Sequence, residues 1–534
     1  MNRLHQLRLL AAGALLAAGS IAVSAQDAPG EGDSQFTPYY KFRVTFTDKK
    51  NCGFSVRHPE AFLSQRAIER RRRQGISIGK TDLPVSRIYI DQVTARGAKA
   101  LSTSKWNNTL LVSTGDSLFG SKIQDLPFVG EVRMVAQYRT PREVSKADRH
   151  ALVAPKERPE EREVTNERPV AKTGKPDTLI LDPDKDIGED DLMRIIRFIN
   201  DHNPQNALDN WANHTGRNAG IPEVETSIYG KGKKQIEQLN GKPLHAAGFK
   251  GEGMVIAIID GGFYNADIIP GLGSTKILGT KDFVAPEEEF YGTQSHGMMV
   301  LSCIGANEPY NMVGTAPEAS FWLLRSEDGD SEQLVEEDNW AAAIEYADSV
   351  GADVVNTSLG YASFDNWADN VRYYELDGHS QLISNSASMC ADKGMVLVCS
   401  AGNSGNDLWK LITSPADSEN TLTVAAIDED GNNAMFSSIG YTADGRIKPD
   451  IATRGQFAWL FGTNGKVTQA SGTSFSSPIA CGMVACLWQA LPGLTAKELI
   501  EVVRKSGDRA GHPDPIYGYG IPDFFKAYSI GLTK

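Results

Sequence analysis

The sequence predicts an α/β protein: a parallel β-sheet with helices on both faces, preceded by a small N-terminal α/β domain. Three observations carry this. From about Tyr229 onward, apolar runs of strand length alternate with longer helix-like stretches, the pattern of parallel strands buried on both sides. Residues 37–138 hold their own alternation of apolar segments. Between the two, composition shifts to prolines and charges with little apolar content to bury.

In chain order, residues 1–25 read as a secretory signal. Arg3 and Arg8 precede the apolar stretch Leu9 to Val23, and Val23-Ser24-Ala25 offers small residues for cleavage. That stretch is shorter than the roughly 20 residues a membrane span needs, so no stable anchor is expected. The expected destination is the periplasm or the exterior.

In 37–138, Tyr40 to Phe46 reads as a strand, Ala61 to Arg73 as a helix, Arg87 to Asp91 as a strand, Gln92 to Leu101 as a helix and Thr109 to Ser113 as a strand. Residues 139–228 read as a charged linker or insertion. Its single short amphipathic helix has Leu192, Ile195, Ile196 and Ile199 at i, i+3, i+4 and i+7.

Residues 229–534 form the large domain. Its strands are expected at Val255 to Ile259, Ser320 to Leu324, Asp353 to Asn356, Met395 to Ser400 and Thr421 to Ala426. Helices are expected after His296 and over Glu332 to Asp348. In such sheets ligands bind beyond the carboxyl ends of the strands. Asp260, Ser358 and Asn403 all follow strand-like runs and are expected on that edge.

Composition narrows the function classes. At 41% hydrophobic and 23% charged the chain is ordinary for a globular protein. Loss of residues 1–25 removes two of 54 basic residues and none of 67 acidic ones, moving the net charge from −13 to −15, which disfavours nucleic acid as a partner. The basic run Glu69 to Arg73 reads first as a solvated helix face, with docking against the acidic downstream domain as the alternative. The six cysteines show no C-x-x-C spacing, so no zinc site is expected. Most sit in apolar runs as small buried hydrophobes, and export leaves a disulfide open without choosing its partners.

Three punctuated positions carry chemistry. Asp260 ends Val255 to Ile259 and is followed by Gly261-Gly262. His296 opens His296-Gly297-Met298-Met299-Val300. Ser474 lies in Ser471-Gly472-Thr473-Ser474-Phe475-Ser476-Ser477-Pro478. A serine hydroxyl needs a base within hydrogen-bond reach, and the base needs a third group to hold its tautomer. Asp260, His296 and Ser474 supply these three roles. Pro478 is read as belonging to the first turn of a helix that Ser474 begins, aiming a backbone N–H at the reacting carbonyl. Asn403, in Ser400-Ala401-Gly402-Asn403-Ser404-Gly405, can add a side-chain amide to stabilise an oxyanion. Ser358-Leu359-Gly360 and Ser400-Ala401-Gly402 can let an extended peptide approach as an added strand.

These segments resemble the subtilisin-like serine proteases, the subtilases, from about Gln235 to Asp523. The likeness rests on Val255 to Gly262, His296 to Val300, Val313 to Pro317, Asn356 to Gly360, Ser400 to Gly405 and Ser471 to Pro478. The order Asp, His, Ser agrees with it and differs from chymotrypsin and the α/β-hydrolases.

The resemblance implies a secreted serine endopeptidase acting through an acyl-enzyme, with Asn403 in the oxyanion hole. Ser358, Leu359 and Gly360, with Ser400, Ala401 and Gly402, would wall the substrate pocket. No cofactor is required, and calcium is allowed only as a structural ion. Residues 37–138 are similar to the N-terminal region of Bacteroidetes-type subtilases, which implies an intramolecular chaperone or inhibitor. Gly261 stands where the family usually has Ser or Thr, and Met298-Met299 where it usually has Thr then His.

Other readings stand beside this one. A subtilase-fold binding protein without turnover is the main alternative, and a lipase or esterase lacks its G-x-S-x-G elbow at Ser474. Cys399 and Cys481 read as packing residues. Glu287-Glu288-Glu289 and Asp328 with Asp330 read as solvated loops without metal-ligand spacing. Arg325-Ser326-Glu327-Asp328 is placed at the border of the cleft, where its acids would favour basic substrate side chains.

Overall fold

The computed structural model describes residues 37–138 and 227–534. The expected signal segment and the expected short helix over Leu192 to Ile199 fall outside the described residues. Among those described, no helix is long and apolar enough to cross a membrane.

The N-terminal domain runs β1 (Tyr39–Phe46), α1 (Gln65–Arg73), α2 (Arg87–Thr94), β2 (Lys99–Ser104), β3 (Thr109–Thr114), α3 (Phe119–Ile123) and β4 (Val129–Tyr138). Its sheet has the order β2-β3-β1-β4, and each of its pairings is antiparallel. Alternate residues Phe42, Val44 and Phe46 of β1 enter the core with Phe119, Ile123 and Phe128.

Two expectations are corrected here. Arg87 to Asp91 is helical, because Tyr89 and Val93, one turn apart, are the buried pair, while Ile88 of the apparent strand alternation is exposed. The expected helix over Gln92 to Leu101 ends at Thr94, and Gly97, at φ 101°, turns the chain into the edge strand β2.

The large domain continues with α4 (Lys233–Glu237), α5 (Lys242–Ala246), β5 (Val255–Asp260), β6 (Lys276–Asp282), α6 (His296–Gly305), β7 (Asn307–Glu308), β8 (Met312–Val313), β9 (Ser320–Arg325), α7 (Val335–Val350), β10 (Val354–Thr357), α8 (Leu382–Ser388), β11 (Val396–Ser400), β12 (Thr421–Ile427), β13 (Ile451–Arg454), β14 (Ala458–Phe461), β15 (Val467–Ala470), α9 (Thr473–Ala490), α10 (Ala496–Ser506) and α11 (Phe524–Gly531). Seven strands pair in parallel in the order β13-β12-β11-β10-β5-β9-β6. β5 explains why the sequence reads as one apolar run. Ile256 and Ile258 join the core beneath α6, α9, α10 and α11, while Val255, Ala257 and Ile259 join the core beneath α7 and α8. A strand covered on both faces has no polar side to alternate with. The strands β6 and β13, at the two edges of this sheet, were not foreseen; β6 has only Ile277 and Leu278 as apolar punctuation.

The basic run is divided: Glu69, Arg72 and Arg73 are exposed, as a solvated face would be, but Arg70 and Arg71 are not. Arg70 and Arg71 of α1 are about fully buried against α7, both bonded to Asp348, with Lys105 Nζ 3.4 Å from the same carboxylate. Glu345, also on α7, accepts from Ser104 Oγ (2.5 Å), Lys105 N (2.6 Å) and Trp106 N (2.9 Å). Arg43 of β1 makes two bonds to Asp338, at 2.8 and 2.7 Å. Trp106, Leu111, Val135 and Ala136 share an apolar cluster with Trp340 and Ile344. The acids of α7, rather than bulk solvent, satisfy these arginines, because a buried guanidinium needs a charged partner. All six cysteines are buried free thiols.

Candidate active site

β5 ends at Asp260, fully buried at the carboxyl edge of the sheet. One of its oxygens, Oδ1, accepts from Gly261 N at 2.8 Å and from His296 Nδ1 at 2.8 Å. His296 is the first residue of α6, with 32% of its side chain exposed. Gly297 makes that approach possible. Its N–H donates to Gly262 O at 2.8 Å, and a Cβ there would lie 2.6 Å from the same oxygen and 2.8 Å from Asp260 Cβ. Burial opposes the imidazolium. The Asp260 charge and hydrogen bond, joined by Glu327, outweigh it and raise the His296 pKa above the ordinary imidazole value.

Ser474 is the second residue of α9, which starts at Thr473. Pro478 is therefore its sixth residue, beyond the first turn where the sequence reading placed it. That position has a use. Lacking an N–H, Pro478 leaves the Ser474 carbonyl without its helical donor, and Ser358 Oγ donates to it instead at 2.9 Å. The Ser474 hydroxyl in turn donates to Ser358 O at 3.3 Å, and no hydrogen bond joins it to His296 in this rotamer. The ring of Phe475, the next residue, lies 5.9 Å from the imidazole centroid. Asn403 Oδ1 accepts from Thr473 N (2.8 Å) and Thr473 Oγ1 (3.0 Å), which anchors the amide and leaves Nδ2 without an acceptor among the described residues.

The other expected site residues sit on adjacent strands. Ser358, Leu359 and Gly360 follow β10, with Ser358 Oγ accepting from Asn356 Nδ2 at 3.0 Å. Ser400 closes the neighbouring β11, Ala401 N donates to Val424 O, and Gly402 N donates to Thr473 Oγ1 at 3.2 Å. The two segments thus flank the start of α9.

β9 lies on the other side of β5, with Arg325 in register with Asp260. Arg325 turns away to Asp282 and Glu288, at 2.9 Å each. Glu327, two residues on, comes to the Asp–His pair. A Cβ on Gly261 would stand 2.9 Å from Glu327 Oε2 and 2.6 Å from Gln294 Oε1, so those side chains occupy the space a Ser or Thr would need. Burial, then repulsion from Asp260 and Glu332, push the Glu327 carboxyl up to about 8, with His296 pulling the other way. Met298 is buried in the large apolar core and half-buried Met299 packs against it. Glu336 and Tyr361 carry no sequence signal for this site: Glu336 reads as an ordinary acid in the first turn of α7, though it accepts from Asp328 N at 3.0 Å, and Tyr361 as a residue of the loop after β10.

The subtilase (Peptidase S8) family profile matches residues 251–520, and the profile of the Peptidase S8 propeptide domain of Bacteroidota matches 41–150. Serine protease AprX of Bacillus subtilis (strain 168) is 30% identical over 302 residues, covering 51% of this chain and 65% of its own, so the chain spans less than two thirds of that relative. Thermitase of Thermoactinomyces vulgaris is 28% identical over 285 residues, covering 52% of this chain and 89% of its own. The solved structure of MycP1 from Mycobacterium smegmatis aligns with 55% of this chain and 84% of that one, at 22% identity and a TM-score of 0.43.

Proposed function

The chain belongs to the subtilase family, and on that premise we propose that it is an exported serine endopeptidase whose triad is Asp260, His296 and Ser474. The 2.8 Å bond between Asp260 and His296, beside a helix that begins with Ser474, carries this reading. Turning the Ser474 hydroxyl from Ser358 O toward the free imidazole nitrogen is a change of rotamer. Ser474 Oγ then bonds to the peptide carbonyl carbon while His296 Nε2 takes its proton. Asp260 holds the Nδ1–H and stabilises the imidazolium. The carbonyl oxygen becomes an oxyanion facing Asn403 Nδ2 and the Ser474 N–H. The C–N bond breaks as His296 returns the proton to the leaving amine, and water releases the acyl group by the same route.

Residues 37–138 are assigned the role of an intramolecular chaperone or inhibitor. The buried Arg70, Arg71 and Arg43 contacts to α7 support it, since they tie that domain to the helix packed against β5 and β9.

A fluorophosphonate probe on the processed protein tests the reading. We expect label on Ser474 and cleavage of casein, both lost in Ser474→Ala. Casein cleavage surviving that substitution, or a folded protein that neither labels nor cleaves, would refute it.

A further inference from the structure

We propose that Glu327, Glu332 and Glu336 form a calcium site at the carboxyl edge of the sheet, with the Tyr361 hydroxyl in its outer shell. The proposal goes beyond proteolysis and does not rest on it. Carboxylate oxygens of the three residues lie within 4.8 Å of one another. Calcium takes six to eight oxygen ligands at about 2.3–2.6 Å, so two oxygens on one ion stand no more than roughly 5.2 Å apart, a condition the three carboxylates meet. The ligands are all oxygens, without the imidazole or thiolate that would favour zinc or copper.

The cluster lacks the counter-charge a structural set of acids would have. Glu336 is fully buried; its Oε1 accepts from Asp328 N at 3.0 Å and its Oε2 has no partner. The carboxylates of Glu327 and Glu332 form no ion pair among the described residues. Nearby cationic groups bond to other acids, Arg325 to Asp282 and Glu288, Arg43 to Asp338 and Glu337, and His296, whose charge also acts on Glu327, to Asp260.

Tyr361 is the independent pointer to a ligand. It is completely buried, its hydroxyl has no hydrogen-bond partner, and after burial the charges that act on it most are Glu327, Glu336 and Glu332. A buried phenol left unpaired beside three carboxylates fits a donor to a metal-bound water or to a carboxylate held by the ion. Half-buried Glu327 and Glu332 give the ion its way in, while fully buried Glu336 is out of reach of a substrate lysine or arginine.

The test uses the full chain carrying Ser474→Ala, stripped with chelator, so that it reads binding whether or not the protein is a protease. Calorimetric titration with calcium chloride should show one saturable site. Adding Glu332→Gln and Glu336→Gln should weaken binding by about 100-fold or more, and Tyr361→Phe by roughly tenfold. The double variant should stay folded in chelator, because neutral amides relieve the repulsion among these clustered acids, and Glu287→Gln should bind like the parent. No saturation up to about 10 mM, beyond the weakest extracellular calcium modules, would overturn the proposal. So would binding indifferent to the double variant. If the same substitutions in the active protein instead change cleavage beside lysine or arginine without touching calcium, the cluster is a substrate subsite.

Discussion

Asp348 offers a sharp test of how the N-terminal domain is held. Its carboxylate is fully buried and serves Arg70, Arg71 and Lys105 at once. Asp348→Asn keeps the shape and removes the charge, leaving three cations facing a neutral amide. Removing one partner of a buried pair costs about 3–5 kcal/mol. At 1.4 kcal/mol per decade, the docked domain should open roughly 100- to 4,000-fold more often. Hydrogen exchange of the α1 amides, in full-length protein carrying Ser474→Ala, measures that opening. The deficit should also be flat across mildly acidic to mildly alkaline pH. Burial opposes ionisation of Asp348, but Lys105, Arg71 and Arg70 outweigh it and hold the carboxyl well below the usual carboxylate range. The stability it lends is present above the unfolded pKa of about 3.9 and fades only as pH falls below that. Arg72→Ala is the control, since that side chain is 77% exposed and pairs only with Glu69. If α1 exchange in Asp348→Asn stays within about threefold of the parent, the buried ion cluster does not hold the domain and the reasoning fails.

Further outcomes follow from the site. Asn403→Ala should lower kcat by about 100- to 1,000-fold with little change in KM, a magnitude established on subtilisin, a member of the same family; steady-state kinetics on a peptide amide decides it. The acid limb of kcat/KM should lie above the ordinary imidazole value of about 6.5, because Asp260 stabilises the imidazolium that must lose its proton before acting; a limb below that value contradicts the assigned base. Asp260→Asn should cost about 10,000-fold in kcat at neutral pH by freeing the histidine tautomer. Gly297→Ala would ordinarily favour a helix by about 1 kcal/mol. Here it should lower both activity and melting temperature, because the added carbon meets Gly262 O and Asp260 Cβ.

Residue order along the chain was enough to determine the class of fold, the strands β5, β9, β10, β11 and β12 to within a residue or two, and that Ser358 to Gly360 and Ser400 to Gly402 follow or end strands on one sheet edge. Buried parallel strands announce themselves because both faces demand apolar side chains. Asp260, His296 and Ser474 announce themselves because a turn or helix start must follow each one. Tertiary structure alone decided the rest. Whether Arg70 and Arg71 face water or Asp348 depends on where α1 lands, 277 residues away in the chain. Tyr89 and Ile88 both fit a strand or a helix locally, and only the N-terminal core selects the helix. Glu327, Glu332, Glu336 and Tyr361 look like loop and helix residues until the pairing of β9 with β5 and β5 with β10 sets them together beside Asp260. Periodicity reports which face of an element is buried; it carries no information about which distant charge that face will meet.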